Sequence, residues 1–339
     1  MKYYSEEVIN NLDYRKNYSS SLQNFIAKER ETSAIKRSKY ISPKKYKSNP
    51  EKFRQDYKKI IGFNKPKKVN IKVEKNFVAL DKNVNIYRMS ITGAFNIPFY
   101  GILFEPIDKT ENTPLIFAFH GGGGTPELVS SINLDSGNYN HMARRMSDRG
   151  YAVFCPQFLL WNQSENEEKF DRIRLNGRCM QLGFSITALE QVLVSQCADY
   201  FLSDGGYSED RFGVIGLSYG GMNALTFAAI DTRVKACYSS SWYSNRFTNS
   251  WADWSYKGLA NRFEDAELAA LVCPRALVIT MGDKDALFNY KESEASAIIT
   301  TEYYKEFNAQ EKFCYYTFDG NHETDKSPKW EEFLDKYLK

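Results

Sequence analysis

Gly216-Leu217-Ser218-Tyr219-Gly220 follows Arg211-Phe212-Gly213-Val214-Ile215, a short, apolar, β-branched run. It precedes Gly221-Met222-Asn223-Ala224-Leu225-Thr226-Phe227-Ala228-Ala229-Ile230, which is rich in helix formers. A strand turning sharply into a helix leaves its turn residue strained and its side chain exposed, and flanking glycines fit where no Cβ does. G-x-S-x-G alone arises by chance in roughly one chain in ten of this length. The strand-turn-helix setting is what makes Ser218 a candidate nucleophile.

The surrounding sequence predicts an alternation of strand and helix. Leu115-Ile116-Phe117-Ala118-Phe119, Tyr151-Ala152-Val153-Phe154-Cys155, Val234-Lys235-Ala236-Cys237-Tyr238, Ala276-Leu277-Val278-Ile279-Thr280 and Phe313-Cys314-Tyr315-Tyr316-Thr317 read as further strands. Helices are expected around Met142–Met146, from about Phe184 to Leu202, near 290–306 and at the end of the chain. Continuous apolar strands of this kind belong to a mostly parallel sheet covered on both faces. Ahead of them, Val69–Val73, Val84–Met89 and Tyr100–Phe104 look like antiparallel strands. Residues 1–65 read as a basic helical extension, with a capped helix opening at Asn49-Pro50 and carrying Phe53, Tyr57, Ile60 and Ile61 on one face. Residues 66–339 form the expected catalytic domain.

Composition narrows the function. The 339 residues are 42% hydrophobic and 15% aromatic, enough for a large core. A mean hydropathy of -0.52 and the lack of a long apolar stretch argue against a membrane span. Residues 1–68 hold 18 Lys and Arg against 7 Asp and Glu, while the remainder holds 27 against 35. A basic arm packed on an acidic body explains that split, and no nucleic-acid signature accompanies it. The six cysteines are scattered, and Met1-Lys2-Tyr3-Tyr4-Ser5-Glu6-Glu7 offers no apolar signal segment. A cytoplasmic protein with reduced thiols is expected.

Acyl transfer by a serine needs a base, an acid that orients the base, and donors for the oxyanion. Only three histidines are available. His322, in Asp319-Gly320-Asn321-His322-Glu323, follows the last strand, where functional residues of such sheets collect. His141 falls in an expected helix, and His120 precedes Gly121-Gly122-Gly123-Gly124, whose shape it is expected to support. The acid is expected in Met281-Gly282-Asp283-Lys284-Asp285, with Asp285 favoured and Asp283 in reserve. The tetraglycine lacks a P-loop or dinucleotide pattern. The N–H of Gly122 or Gly123, with that of Tyr219, is the expected oxyanion hole.

These segments resemble the α/β-hydrolase superfamily, and within it the dienelactone hydrolase and acetyl xylan esterase-like group. The resemblance rests on His120–Gly123, Asp210–Gly221, Gly282–Asp285 and Gly320–His322, and spans about residues 70–339. It implies an α/β-hydrolase fold and supports Asp285 over Asp283 as the acid. The expected reaction is cleavage of a carboxylic ester through an acyl-enzyme, with a deacetylase of carbohydrate or small esters as one form. Alternatives are a prolyl oligopeptidase-like aminopeptidase and a non-catalytic binding protein on the same fold. A cap-like insertion is expected at about 243–272, with Trp242, Tyr243 and Trp161 as candidate substrate contacts. No cofactor or metal is expected, since no metal-binding spacing occurs. A homo-oligomer is compatible with the sequence.

Overall fold

The computed structural model describes residues 3–67, 69–133, 135–161 and 169–339. The chain opens with three helices, α1 (Leu12–Tyr40), α2 (Pro43–Ser48) and α3 (Pro50–Ile61). Three strands follow, β1 (Lys72–Asp81), β2 (Val84–Thr92) and β3 (Pro98–Pro106). Then come β4 (Leu115–Phe119), α4 (Pro126–Val129), α5 (Met142–Asp148), β5 (Ala152–Pro156), α6 (Arg172–Gln181) and α7 (Ile186–Phe201). The central unit is β6 (Phe212–Leu217), α8 (Tyr219–Ile230) and β7 (Ala236–Ser240). The remainder is α9 (Asp265–Ala270), β8 (Ala276–Gly282), α10 (Tyr290–Glu306), β9 (Phe313–Phe318) and α11 (Lys329–Leu338).

The nine strands form one sheet in the order β1-β2-β3-β5-β4-β6-β7-β8-β9. β1, β2 and β3 pair antiparallel, as does β3 with β5, and all later neighbours pair parallel. β4 to β8 are buried at every position, which is why they read as unbroken apolar runs. In register, Phe119 pairs Gly216, Ser240 pairs Thr280 and Gly282 pairs Phe318. That alignment brings the carboxyl ends of β4, β6, β8 and β9 to one edge.

β1 departs furthest from the expected bounds. β1 begins at Lys72 and continues to Asp81, beyond the Val69–Val73 segment. It pairs only with β2, shifts register between Phe77 and Ala79, and exposes Phe77 and Leu80. With both faces wet, an edge strand loses the alternation that marks one in sequence. α6 was also absent from the expected elements.

The end of α1, with α2 and α3, is part of the folded body. Asn49 caps α3 by accepting the Lys52 N–H at 3.1 Å, Pro50 takes the first turn, and Gly62 closes the helix with φ of 79°. Ile41, Tyr46, Phe53, Tyr57 and Ile61 are buried in the main apolar cluster with residues of α8 and α10. The expected charge match between arm and body is visible: Arg37 pairs Glu264 at 2.9 Å and Glu267 at 3.3 Å, and Lys65 pairs Asp199 at 2.6 Å.

Candidate active site

Ser218 sits between β6 and α8 with φ of 59° and ψ of -123°, a conformation that costs a side-chain-bearing residue about 1–3 kcal/mol. The turn is tight because its glycines have no room for more. A Cβ on Gly216 would lie 2.1 Å from the Gly220 carbonyl oxygen, and one on Gly220 would lie 2.1 Å from that of Phe119. The Ser218 N–H donates to the Ser240 carbonyl at 2.9 Å, tying the turn to the next strand. Tyr219 is the first residue of α8, so its N–H has no helical carbonyl one turn back.

Asp285 and His322 meet at the neighbouring strand ends. His322 Nδ1 lies 2.8 Å from Asp285 Oδ2. Asp285 Oδ1 accepts the N–H groups of Leu287 at 2.8 Å and Phe288 at 3.1 Å, which aims the carboxylate. The Asp285 side chain is fully buried, that of His322 is 19% exposed, and the imidazole stacks on Phe288. Asp283, the reserve carboxylate, is exposed and accepts the Gly320 N–H at 3.2 Å instead. The backbone around His322 is held by Asn138, whose amide donates to the His322 carbonyl at 2.9 Å.

The glycine loop after β4 faces this pair. A cavity of about 220 Å³ is lined by Gly121–Gly124, Ser218, His322, Trp161 and Leu287, among others. His120 shapes the loop, as expected. Its Nδ1–H donates to the Gly121 carbonyl at 2.8 Å, and Nε2 accepts the Phe158 N–H at 2.8 Å. Burial lowers the His120 pKa to about 4, so the ring is neutral and its Nε2 stays an acceptor. The Gly121 N–H donates to the Tyr139 hydroxyl at 2.7 Å, whose pKa burial pushes up to about 12. His141 lies outside the cavity lining; it precedes α5 with φ of 57° and reaches Ser131 Oγ at 2.9 Å.

The three aromatic candidates divide. Trp161 lines the cavity and is 45% exposed; its N–H donates to the Gly122 carbonyl at 2.8 Å. Trp242 and Tyr243 are corrections, because both are buried and neither lines the cavity. Trp242 packs edge-on against Trp254 and under Arg246, and the Tyr243 hydroxyl bonds Thr300 Oγ1 at 2.8 Å. They fill the space beneath the insertion instead of facing a ligand, since their apolar area favours the core.

Residues 131–317 match the dienelactone hydrolase family, a span of more than half the chain. The chain belongs to that family. It is accordingly an ester hydrolase. YtaP of Bacillus subtilis (strain 168), a hydrolase by its name, is 25% identical over 219 residues, 59% of this chain and 69% of that one. A Bacteroides fragilis structure assigned as an acetyl xylan esterase superposes with a TM-score of 0.65 at 13% identity, covering 82% of this chain and 76% of that one. A glucuronoyl esterase from Solibacter usitatus gives 0.63 at 15% identity, with 87% and 93% covered. At such identities these two structures share the fold.

Beside the elbow of this dienelactone hydrolase family member lies a buried ionic cluster that no motif announced. Arg172 Nε contacts Asp253 Oδ2 at 2.5 Å, and its two terminal nitrogens each meet a Glu190 oxygen at 2.9 Å. The Tyr219 hydroxyl donates to Asp253 at 3.1 Å. Burial raises the Glu190 pKa, with Arg172 opposing it; burial also lowers that of Arg172, but Glu190 and Asp253 reverse the direction. Trp251 and Trp254, stacked at 4.5 Å, cover the Tyr219 ring, and Trp251 contacts Trp161 at 5.5 Å. The irregular segment after β7 thereby touches the residue next to Ser218. Among the described residues no cluster of His, Cys, Asp and Glu is arranged for a metal ion, and no helix is long and apolar enough to cross a membrane.

Proposed function

We propose that the protein is a serine esterase in which Ser218 attacks the ester carbonyl, His322 moves the proton and Asp285 orients the imidazole. The observation that carries this reading is the 2.8 Å contact between His322 and Asp285 at the wall of the cavity that Ser218 shares. His322 takes the serine proton, the acyl-enzyme forms, and the alkoxide leaves as the alcohol. Water then attacks with His322 again as base, releasing the acid. The N–H of Tyr219, with that of Gly122 or Gly123, would hold the oxyanion; losing one such donor typically costs about 3–4 kcal/mol.

The substrate class follows from the cleft. About 220 Å³ is below the usual range for drug-sized ligands, roughly 300–1,000 Å³, and suits a short acyl group. Trp161 at the cavity, backed by Trp251, offers an aromatic face on which a sugar ring can stack. The esterases of similar fold, one assigned to acetyl xylan and one to glucuronoyl esters, support a carbohydrate ester. We read residues 66–339 as the catalytic unit, 1–65 as its extension, and about 243–272 as its cap-like insertion, in a cytoplasmic protein.

A fluorophosphonate probe tests the chemistry. Wild-type protein should label and Ser218→Ala should not; an unlabelled wild type defeats the proposal. Acetylated sugars and p-nitrophenyl acetate should then be hydrolysed in preference to aminoacyl anilides, and the reverse preference would replace the esterase reading with a peptidase one.

A further inference from the structure

The glycine loop after β4 and the histidine loop after β9 stand apart in the sheet, with β6, β7 and β8 between their strands. One segment, Ser136–Asn140, bonds to both. Tyr139 reaches the glycine loop through its ring. Its hydroxyl accepts the Gly121 N–H at 2.7 Å and packs against the turn that the Gly124 N–H closes on the Gly121 carbonyl at 3.0 Å. A Cβ on Gly124 would sit 2.0 Å from that oxygen, so the turn has room for the hydroxyl only because residue 124 is glycine. Gly121 also abuts the elbow: a Cβ there would lie 3.3 Å from Ser218 Cβ.

The same segment grips the histidine loop. The Asn138 amide donates to the His322 carbonyl at 2.9 Å, and the Asn138 carbonyl accepts the Thr324 N–H at 3.0 Å. The Tyr139 carbonyl accepts Thr324 Oγ1 at 2.7 Å, and the Asn140 amide donates to the Thr324 carbonyl at 2.6 Å. Asn140 and His141 hold φ of 46° and 57°, a left-handed pair that side-chain-bearing residues adopt only where their surroundings impose it. Packing accounts for the Tyr139 ring, which belongs to the apolar cluster of Val129, Met142 and Ala143. Phenylalanine would fill that space. Packing does not account for the hydroxyl, a buried polar group whose place is set by what it bonds.

On the serine-esterase reading, we propose that Tyr139 is a positioning residue for acyl transfer, bracing the oxyanion loop against the histidine loop across Ser218. Its leverage comes from peptide geometry. The Gly121 carbonyl is held by the His120 Nδ1–H at 2.8 Å and by the Gly124 N–H, while Tyr139 holds the Gly121 N–H. Both peptide planes that meet at Gly121 are thereby fixed. Since a trans peptide sets its N–H opposite its carbonyl, the Gly122 N–H is left one direction. Glycine has the widest backbone freedom of any residue, so a run of four needs such pins to keep its donors aimed before the oxyanion forms. Without the hydroxyl, the plane before Gly121 loses its anchor and a buried N–H is left unpaired.

Steady-state hydrolysis of p-nitrophenyl acetate by the full chain tests this. Tyr139→Phe should lower kcat about tenfold or more with KM within about twofold, because the donors act on the transition state and not on bound ester. Affinity for a trifluoromethyl ketone, whose serine adduct carries the oxyanion, should fall by a similar factor. Thr324→Val releases the Tyr139 carbonyl from the histidine loop and should also lower kcat. Losses within one brace overlap, so the double variant should lose less than the product of the two. Thermal unfolding checks that each variant is folded. If Tyr139→Phe does not fold, Asn138→Ala, on an exposed side chain, frees the His322 carbonyl and must lower kcat with KM kept. An unchanged kcat in the folded variant, a loss carried by KM, or single losses that multiply would each overturn the brace while the wild type still takes the fluorophosphonate label. A wild type that neither labels nor hydrolyses esters defeats the esterase reading itself, and the brace with it.

Discussion

Asp285 meets the His322 ring with one oxygen and two backbone N–H groups with the other. The carboxylate is therefore oriented by the loop before α10 and spends its free oxygen on one imidazole nitrogen. Asp285→Asn keeps the shape but lets the amide favour the wrong tautomer. Its kcat for p-nitrophenyl acetate is expected to fall about a thousandfold or more, with KM little changed. Asp283→Asn, on an exposed carboxylate, should leave kcat essentially unaltered; the opposite ranking would transfer the role to Asp283.

Ser218 holds a positive φ that its position imposes on it. Ser218→Gly removes the Cβ that strains there, while adding conformational freedom to the unfolded chain. The net expectation is a gain of about 1 kcal/mol in stability with complete loss of esterase activity. Denaturant unfolding reads the first and ester hydrolysis the second. A less stable glycine variant would show that the turn is not strained.

Gly220 is more constrained than Ser218, because a Cβ there would sit 2.1 Å from the Phe119 carbonyl oxygen, a backbone atom that cannot swing aside. Gly220→Ala is expected to cost about 3 kcal/mol as β4 and α8 are forced apart. Chemical denaturation of the purified variant is the measurement.

His120 links the fold to pH. The folded protein keeps the ring neutral down to about pH 4. The unfolded chain takes up a proton near pH 6.5 or so. Between those values the unfolded state binds more protons, so stability falls as pH falls, and above them His120 contributes no slope. The full window amounts to about 3 kcal/mol at roughly 1.4 kcal/mol per pH unit. His120→Gln should be less stable at neutral pH but show a shallower loss between pH 6.5 and 4, measured by urea unfolding at stepped pH.

Asp253 ties the segment after β7 to Arg172 and to the Tyr219 hydroxyl. Asp253→Ala leaves Arg172 short of one counter-charge in a site that is 4% exposed, and is expected to cost about 3 kcal/mol or more. Tyr219→Phe deletes only one hydroxyl and should cost about 1 kcal/mol. Equal effects from the two substitutions would mean the ion pair contributes little.

The elbow, the glycine loop and the order of Ser218, Asp285 and His322 were legible because each is a local pattern at the end of an apolar run. The match to the dienelactone hydrolase family over residues 131–317 agrees with the expected family and ester-hydrolase class. α3 was legible through its cap and one-sided apolar spacing. β1 was not, since an edge strand with two wet faces carries no alternation. Trp242 and Tyr243 misled because an aromatic residue has the same local signature whether it stacks on a ligand or fills a core.

Local pattern alone thus determined which residues end the strands and hence which side chains collect at the carboxyl edge of the sheet. Only the tertiary structure decided that Asp285 meets the ring, that Trp161 and not Trp242 reaches the cavity, and that Arg172, Glu190 and Asp253 share one buried cluster. The physical reason is range. Strand and helix periodicity come from neighbours a few residues apart, whereas those three charges are separated by tens of residues. Their meeting depends on how the irregular segment after β7 folds back across the sheet, a path set by desolvation and pairing that no short window of sequence records.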